Sequence, residues 1–230
     1  MNIIFDIGFN RGEFSFVALK KYPMAKIVGV DANPIFNNIS LPDNITYLNR
    51  LVSSSDNEIK KFFIDPNQDG ISTASEEFIK SSRFKKGSKY LGENSSAWTH
   101  ELSVPTITLD TMINLFGNPD FIKIDVEGYE NEVLSGLSIK TGIICFEWHE
   151  EMLDIAIQCL DKLISLGYSS CGIIGYIENK NETEILTHSD QGDPYLEEPE
   201  KYVSIDEMKN ELLRVCDSSR RINYGMCFVK

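Results

Sequence analysis

Short apolar segments that end on or near an acidic residue recur along the chain, and segments of helical periodicity separate them. Ile3–Ile7, Lys26–Asp31 and Phe121–Asp125 are three such apolar segments, and all are rich in isoleucine, valine or phenylalanine. Strands of a parallel sheet are buried on both faces, and each pair needs a crossover connection that is usually a helix. The alternation therefore predicts an α/β fold with a doubly wound, mostly parallel sheet.

Acidic residues at the ends of the predicted strands indicate where a site would lie. Asp6, Asp31, Asp125 and Glu147 all fall at or near the carboxyl end of a predicted strand. Ligands of doubly wound sheets bind outside the carboxyl ends of the strands. We therefore expect these four side chains to face a common site.

Composition excludes several classes of protein. Twenty-two Lys and Arg residues against 35 Asp and Glu give a formal net charge of −13, which disfavours nucleic acid as a partner. The five cysteines are widely spaced, which predicts free thiols in a reducing compartment. No apolar run approaches the roughly 18 residues of a membrane-spanning helix, and no signal peptide is visible. We expect a cytoplasmic, single-domain protein over residues 1–230.

A glycine-containing turn follows the first predicted strand. Gly8 and Gly12 stand four residues apart, just before a predicted helix. Glycine lets the backbone turn tightly and approach a ligand, and the start of a helix offers unpaired N–H groups. The spacing differs from the G-x-G-x-x-G pattern of dinucleotide-binding folds. Taken alone, the motif fits a plain strand–helix turn equally well.

Asp31 lies nineteen residues after Gly12, at the end of the second predicted strand. A carboxylate at this position can accept two hydrogen bonds from a ribose diol. The sequence Asp31-Ala32-Asn33-Pro34 is also typical of a turn, so a helix cap or turn is the alternative. Together with the glycine turn, Asp31 favours a nucleoside-binding site.

Two further motifs place charged groups in apolar surroundings. Strand alternation puts Lys123 and Asp125 on one face, and Glu127 follows just past the strand. Burial of such charges requires a partner or a function, and a plain ion pair is the alternative. Glu147 and His149 lie at the end of another strand, where His149 can act as a general base, bind a metal or simply cap a helix.

In their order along the chain, these motifs resemble the FkbM family of S-adenosylmethionine-dependent O-methyltransferases. The resemblance is carried by FDIGFNRGEFS at 5–15, VDANP at 30–34, TLD at 108–110, FIKIDVEGYE at 121–130 and VLSG at 133–136. Phe9 stands where the family usually has alanine. The run NYGMCFV at 223–229 is similar to the closing strand of the family, which is antiparallel. The resemblance implies a Rossmann-like class I methyltransferase with a seven-stranded sheet.

The resemblance also implies a set of site residues. The implied cofactor-binding residues are Asp6, Gly8, Asn10 and Gly12 around the methionine part, Asp31 at the ribose, Leu51, Val52 and Ser53 at the adenine, and in addition Arg11, Ala32 and Asp125. The candidate catalytic residues are Lys123, Asp125, Glu127, Glu147 and His149. A divalent metal, Mg²⁺ or Mn²⁺, would be held by Asp125, Glu147 and His149.

The implied reaction is methyl transfer to a hydroxyl of a sugar, in a glycan or a glycosylated metabolite. An alcohol needs a base or a metal to react at neutral pH, and His149 or Glu147 is the expected base. We expect Lys123 to orient the carboxylates. The segments 65–105 and 178–202 lie outside the resemblance and are expected to select the acceptor, with Tyr90 and Trp98 as candidate contacts for its ring.

Three other functions stay open at this point. An RNA ribose 2′-O-methyltransferase would need a local basic loop, formed by Lys80, Arg83, Lys85, Lys86 and Lys89. A catalytically silent nucleoside-binding interaction module would bind the cofactor without transferring its methyl group. An NAD-dependent oxidoreductase is disfavoured by the glycine spacing.

Overall fold

The computed structural model describes residues 1–34, 40–85, 98–176, 187–188, 198–216 and 224–230. The strands are β1 (Ile3–Ile7), β2 (Lys26–Asp31), β3 (Ile45–Asn49), β4 (Leu51–Val52), β5 (Ile59–Ile64), β6 (His100–Ile107), β7 (Phe121–Ile124), β8 (Ile143–His149), β9 (Ser170–Tyr176), β10 (Thr187–His188), β11 (Val203–Ser204) and β12 (Tyr224–Val229). The helices are α1 (Glu13–Lys21), α2 (Glu76–Ser81), α3 (Leu109–Phe116), α4 (Glu130–Ser135), α5 (Leu153–Ser165) and α6 (Ile205–Cys216).

The main sheet has the strand order β10-β9-β12-β8-β7-β1-β2-β3, and β11 pairs with β9 beside this path. Strands β8, β7, β1, β2 and β3 are mutually parallel, and β12 runs antiparallel to both β8 and β9. The predicted α/β class and the antiparallel last strand are therefore confirmed. Seven longer strands form the expected sheet, and β10 and β11 add two residues each.

A second, three-stranded sheet of order β4-β6-β5 lies outside the predicted architecture. The sequence predicts irregular structure from Asp65 to Ser103, yet α2 and the first residues of β6 fall within that range. Helix α2 has only six residues, too few to show a helical period, and its N-cap Ser75 accepts a hydrogen bond from Phe78 N–H. The first half of β6 is largely exposed, so its sequence lacks the apolar alternation of a strand.

Successive residues of β1 pack into different layers of the core. Phe5 and Ile7 belong to a large apolar cluster with residues of α3, α4, α5 and α6. Ile4 belongs to a second cluster that includes Phe14 and Ala18 of α1. The sheet is thus covered on both faces, which explains the continuous apolar strands in the sequence.

The cysteines and the helices bear on two expectations drawn from the composition. All five cysteines have free thiols, as predicted. Among the helices in the described ranges, none is both long and apolar enough to cross a lipid bilayer.

The large side chain of Phe9 is accommodated by a glycine on the neighbouring strand. A Cβ atom built on Gly29 of β2 would lie only 2.2 Å from Cδ2 of the Phe9 ring. The same ring packs against Tyr47 of β3, with the ring centroids 5.4 Å apart. Phenylalanine at position 9 therefore requires glycine at position 29, because any larger residue would overlap the ring.

Because the Phe9 ring packs against Gly29, the effects of substitutions at these two positions on stability should not be additive. Gly29→Ala is expected to destabilise the protein by about 1–3 kcal/mol, because the new methyl group overpacks the ring. In a Phe9→Ala background, the same change is expected to cost at least about 1 kcal/mol less. Urea unfolding of the four proteins measures both values. An equal cost of Gly29→Ala in the two backgrounds would contradict the assignment.

Candidate functional site

A cleft opens along the carboxyl ends of β1, β2, β4 and β7. Its polar lining comes from Asn10, Asn33, Arg50, Asp31, Asp69, Ser72, Asp125 and Glu127, and its apolar lining from Ile7, Val30, Ala32, Leu51, Val52, Phe62, Ala74, Val126 and Tyr129. Small-molecule sites typically combine apolar walls with a few polar groups. The edge of the sheet indicated by the sequence thus contains a cleft with this kind of lining.

The turn between β1 and α1 lies against the end of β7. Gly8 has a φ angle of 80°, and a Cβ atom at this position would stand 1.8 Å from the carbonyl oxygen of Asp125. Asn10 is also left-handed, with φ 44°, and its N–H donates to Asp31 Oδ2 at 2.6 Å. Glycine at position 8 therefore permits a close approach of two backbone segments, which sets one wall of the cleft.

The Asp31 carboxylate is held by backbone groups on both of its oxygens. Asn10 N–H donates to Oδ2 at 2.6 Å, and Asn33 N–H donates to Oδ1 at 2.7 Å. Burial raises the pKa of Asp31 to about 6, against the effect of these two hydrogen bonds. Each oxygen retains a lone pair, so Asp31 can still accept hydrogen bonds from a diol in the cleft.

The Lys123 ammonium group joins three parts of the site. Its Nζ donates to the carbonyl oxygen of Gly8 at 2.7 Å, and lies 3.3 Å from Asp6 Oδ1 and 3.6 Å from Asp125 Oδ2. Burial alone would lower the pKa of Lys123, but Asp6 and Asp125 raise it above its ordinary value. Lys123 is therefore charged, and it fixes the glycine turn relative to both carboxylates.

Glu127, Glu147 and His149 form a compact cluster beside the cleft. His149 Nε2 lies 3.1 Å from Glu147 Oε2 and 3.4 Å from Glu127 Oε2, and the three side chains are largely buried. Burial raises the pKa of both carboxyl groups. Burial would lower the pKa of His149, but the two carboxylates raise it well above its ordinary value. Such a cluster can accept a proton and share it among its members.

The same cluster is a group that could hold a metal ion. One ligand atom from each of Glu127, Glu147 and His149 lies within 4.8 Å of the others. Carboxylate oxygens and an imidazole nitrogen are suitable ligands for a divalent ion such as Mn²⁺. Asp125, which the sequence places in this set, is not a member of the group, and Glu127 takes its position.

Aromatic and charged side chains enclose the cluster. The His149 ring lies between Phe78 of α2, at 5.5 Å, and Tyr224 of β12, at 6.5 Å between ring centroids. The Arg83 guanidinium stands 4.9 Å from the Tyr224 ring and forms a two-pronged ion pair with Glu151, with both hydrogen bonds at 2.7 Å. Part of the segment predicted to select the acceptor, 65–105, thus covers the cluster.

The structure brings most of the predicted cofactor residues to the cleft. Those that line it are Gly8, Asn10, Asp31, Ala32, Leu51, Val52 and Asp125. Asp6 and Ser53 are fully buried outside the lining, and Gly12 lies against the Phe9 ring. Arg11 is exposed and forms an ion pair with Asp69 at 3.1 Å. The roles of these residues remain predictions.

The candidate catalytic residues fall into three positions. Asp125 and Glu127 line the cleft, Glu147 and His149 adjoin it through Glu127, and Lys123 lies beneath Asp125. The lining residues that the sequence did not single out are Ile7, Val30, Asn33, Arg50, Phe62, Asp69, Gly70, Ser72, Ala74, Val126 and Tyr129. Five of them had a signal, because they lie within stretches that carry the family resemblance: Ile7, Val30, Asn33, Val126 and Tyr129. Arg50 and Phe62 had none. Of the two predicted ring contacts, Trp98 donates a hydrogen bond to Ile71, and Tyr90 lies outside the described residues.

The fold and the cleft define a Rossmann-like α/β protein with a site for a small ligand at the carboxyl edge of its sheet. The family model of the methyltransferase FkbM domain matches residues 6–170. The chain therefore belongs to the FkbM methyltransferase family.

Two solved structures illustrate the breadth of the similarity. The methyltransferase FkbM from Methylobacillus flagellatus KT is 14% identical, with a TM-score of 0.46 over 75% of this chain and 39% of that chain. The precorrin-6y C5,15-methyltransferase from Geobacter metallireducens GS-15 is 12% identical, with a TM-score of 0.40 over 99% of this chain and 78% of that chain. The chain thus spans 39% of the length of the first structure. No curated protein matches the chain.

The position of Lys123 predicts a large effect of its removal. Lys123→Met is expected to destabilise the protein by about 3–5 kcal/mol, because Asp6 would be buried without its cation. The matched control is Lys61→Met, since Lys61 forms an exposed ion pair with Glu101, and its loss should cost less than about 1 kcal/mol. Urea unfolding at pH 8 measures both changes. Similar losses in the two variants would argue against a central role for Lys123.

Proposed function

We propose that the protein is an S-adenosylmethionine-dependent O-methyltransferase that methylates a hydroxyl group of a sugar. The observation that carries the proposal is one continuous cleft with Asp31 at one part of its lining and the Glu127 cluster at another. Such a reaction needs a nucleoside-binding carboxylate and a proton acceptor within one site. Membership of the FkbM methyltransferase family supports methyl transfer.

The cleft lining suits an S-adenosyl cofactor. Leu51, Val52 and Phe62 offer an apolar wall for the purine, and Asp31 offers acceptors for the ribose hydroxyls. Asp125 adds a further carboxylate to the lining, and negative groups complement the sulfonium and ammonium charges of the cofactor. When bound, S-adenosylmethionine supplies an activated methyl group that needs no further chemistry from the protein.

The residues of the chain then act on the acceptor. Glu127 is the member of the cluster that lines the cleft, so we assign it the first contact with the acceptor hydroxyl. Its carboxylate takes the proton of that hydroxyl. His149 Nε2 lies 3.4 Å from the Glu127 carboxylate and also contacts Glu147, so His149 and Glu147 stabilise the cluster after the proton has been transferred. Lys123 holds Asp125 in place at the border between cofactor and acceptor.

A divalent ion is a second way in which the cluster can activate a hydroxyl. Glu127, Glu147 and His149 are the residues that would hold Mg²⁺ or Mn²⁺. An ion at this position would supply a Lewis acid that lowers the pKa of the acceptor hydroxyl.

A sugar fits the site better than RNA does. Carboxylates such as Asp125 and Glu127 accept hydrogen bonds from several sugar hydroxyls but repel phosphates. Within the loop that RNA binding would require, Lys80 pairs with Glu76 and Arg83 pairs with Glu151. Lys86 and Lys89 lie outside the described residues.

Binding of S-adenosylhomocysteine is the direct test of the cofactor. At ~100 times its dissociation constant, the ligand is expected to stabilise the protein by roughly 2.7 kcal/mol, which a thermal-shift assay detects. NADH serves as the comparison ligand, and each titration is repeated with MgCl₂ and MnCl₂. Stabilisation by NADH alone would refute the proposal. Binding without methyl transfer to any sugar would favour the silent interaction module.

The affinity for S-adenosylhomocysteine is expected to depend on the ionisation of Asp31. Since burial raises the pKa of Asp31 to about 6, the carboxylate is ionised at pH 7.5 and largely protonated at pH 5. Protonation removes charge and acceptor capacity, so affinity should fall as the pH is lowered through 6. Isothermal titration calorimetry between pH 5 and 8 measures this. Asp31→Asn should bind more weakly and lack this pH dependence, and an identical profile in both proteins would exclude Asp31.

Methyl transfer is expected to depend on Glu127 far more than cofactor binding does. Glu127→Gln should lower the transfer rate to a sugar acceptor by a factor of about 10²–10⁴, the usual contribution of a general base. Its affinity for S-adenosylhomocysteine should change little. Glu132→Gln is the control, because Glu132 lies on the surface near Lys60. Radiolabelled methyl transfer measures the rates, and an unaffected rate in Glu127→Gln would remove Glu127 from the reaction.

A further inference from the structure

We propose that Thr73 and Glu130 are positioning residues that fix the backbone turn at Glu127 and thereby aim its carboxylate at His149. The inference rests on the proposed function and extends it to two residues that neither line the cleft nor belong to the cluster, but contact the backbone on either side of Glu127. Glu130 ends the most specific stretch of the sequence, FIKIDVEGYE, yet nothing in the reaction itself accounts for it.

The turn at Glu127 needs external support because its backbone is in an unfavourable conformation. Glu127 has a φ angle of 56°, in the left-handed region that residues with a Cβ atom seldom adopt. Such conformations persist only where the surrounding structure holds them, and they concentrate at functional sites. Contacts on both sides of the turn hold Glu127 in this conformation.

Thr73 supports the carbonyl side of the turn. Its hydroxyl donates to the carbonyl oxygen of Glu127 at 2.7 Å, and Thr73 is completely buried. The hydroxyl oxygen itself accepts from Ser75 N–H at 2.8 Å, which directs its hydrogen towards Glu127. Backbone hydrogen bonds of 2.8 and 3.0 Å between Thr73 and Phe63 attach this support to β5.

Glu130 supports the N–H side of the turn. Its Oε1 accepts from Val126 N–H at 3.3 Å and from Gly128 N–H at 3.2 Å, which are the residues on either side of Glu127. The residue is only 2% exposed. A carboxylate buried at the first position of α4 needs hydrogen-bond partners. These two N–H groups supply them, and Glu130 in turn satisfies both N–H groups.

The two supports act on one side chain. Without either of them, the backbone of Glu127 can relax towards negative φ, and its carboxylate then turns away from its position 3.4 Å from His149 Nε2. Displacement of a reacting group by about 1 Å can reduce a rate on the order of 100-fold. Asp31, on β2, is held by Asn10 and Asn33 and not by this turn.

Thr73→Val and Thr73→Ser provide a matched pair, because valine keeps the shape and serine keeps the hydroxyl. We expect Thr73→Val to lower kcat for methyl transfer roughly 10–100-fold, with an unchanged KM for S-adenosylmethionine. Thr73→Ser should retain kcat within about threefold, since the hydrogen bond is preserved. Loss of kcat in both variants, or in neither, would overturn the proposal.

Combining these substitutions with Glu127→Gln distinguishes a positioning role from a general structural role. In a Glu127→Gln background, Thr73→Val and Glu130→Leu, which removes the acceptor oxygen, are expected to cause little further loss of kcat, because they act through the same carboxylate. Equal losses in the wild-type and Glu127→Gln backgrounds would overturn the proposal. Thermal unfolding and S-adenosylhomocysteine affinity of each variant show whether its fold and cofactor site are intact.

A crystal structure of Thr73→Val tests the inference even if no sugar is methylated. We expect φ of residue 127 to become negative and the separation between Glu127 and His149 to increase. An unchanged turn in this variant would refute the positioning role. A changed turn in a protein that methylates no sugar would refute the proposed acceptor and leave the positioning role supported.

Discussion

The buried ammonium group of Lys123 is the interaction on which the geometry of the site depends. Asp6 and Lys123 are direct partners in the register of β1 and β7, so their side chains stand together on one face of the sheet. The same ammonium binds the carbonyl oxygen of Gly8 and faces Asp125. Desolvation of a lysine is costly, and here two carboxylates and a carbonyl offset it. One residue thus links two strands, the glycine turn and the border of the cleft.

The acidic groups at this edge of the sheet have different hydrogen-bonding and charged partners, and these partners determine what each carboxylate can do. Asp6 is paired with Lys123 and Ser15 and is inaccessible to a ligand. Asp31 is held by backbone N–H groups and keeps free lone pairs. Glu127 has a titratable partner, His149, and therefore can exchange a proton. Similar side chains acquire distinct chemistry because their neighbours differ.

Much of the fold and part of the site could be predicted from the sequence. Apolar strand segments and the motifs at their ends are local features of the sequence. The positions of the strands, and the convergence of Asp31 and Asp125 at one edge of the sheet, could therefore be predicted. Other features depend on contacts between distant segments. The Phe9 ring occupies the space above Gly29, and Glu127, whose backbone is left-handed, joins His149 where the sequence predicts Asp125. No local sequence pattern encodes either feature.

The position of β12 has a consequence for how the protein is made. This strand lies between β8 and β9, although it is the last of the strands in sequence. Until Tyr224–Val229 leaves the ribosome, β8 and β9 therefore expose unpaired backbone edges, which invite association with other chains. Glu147 and His149 are opposite Met226 and Tyr224 in the final register. The nascent chain can thus form the part of the cleft around Asp31 early, whereas the cluster of Glu127, Glu147 and His149 waits for translation of β12.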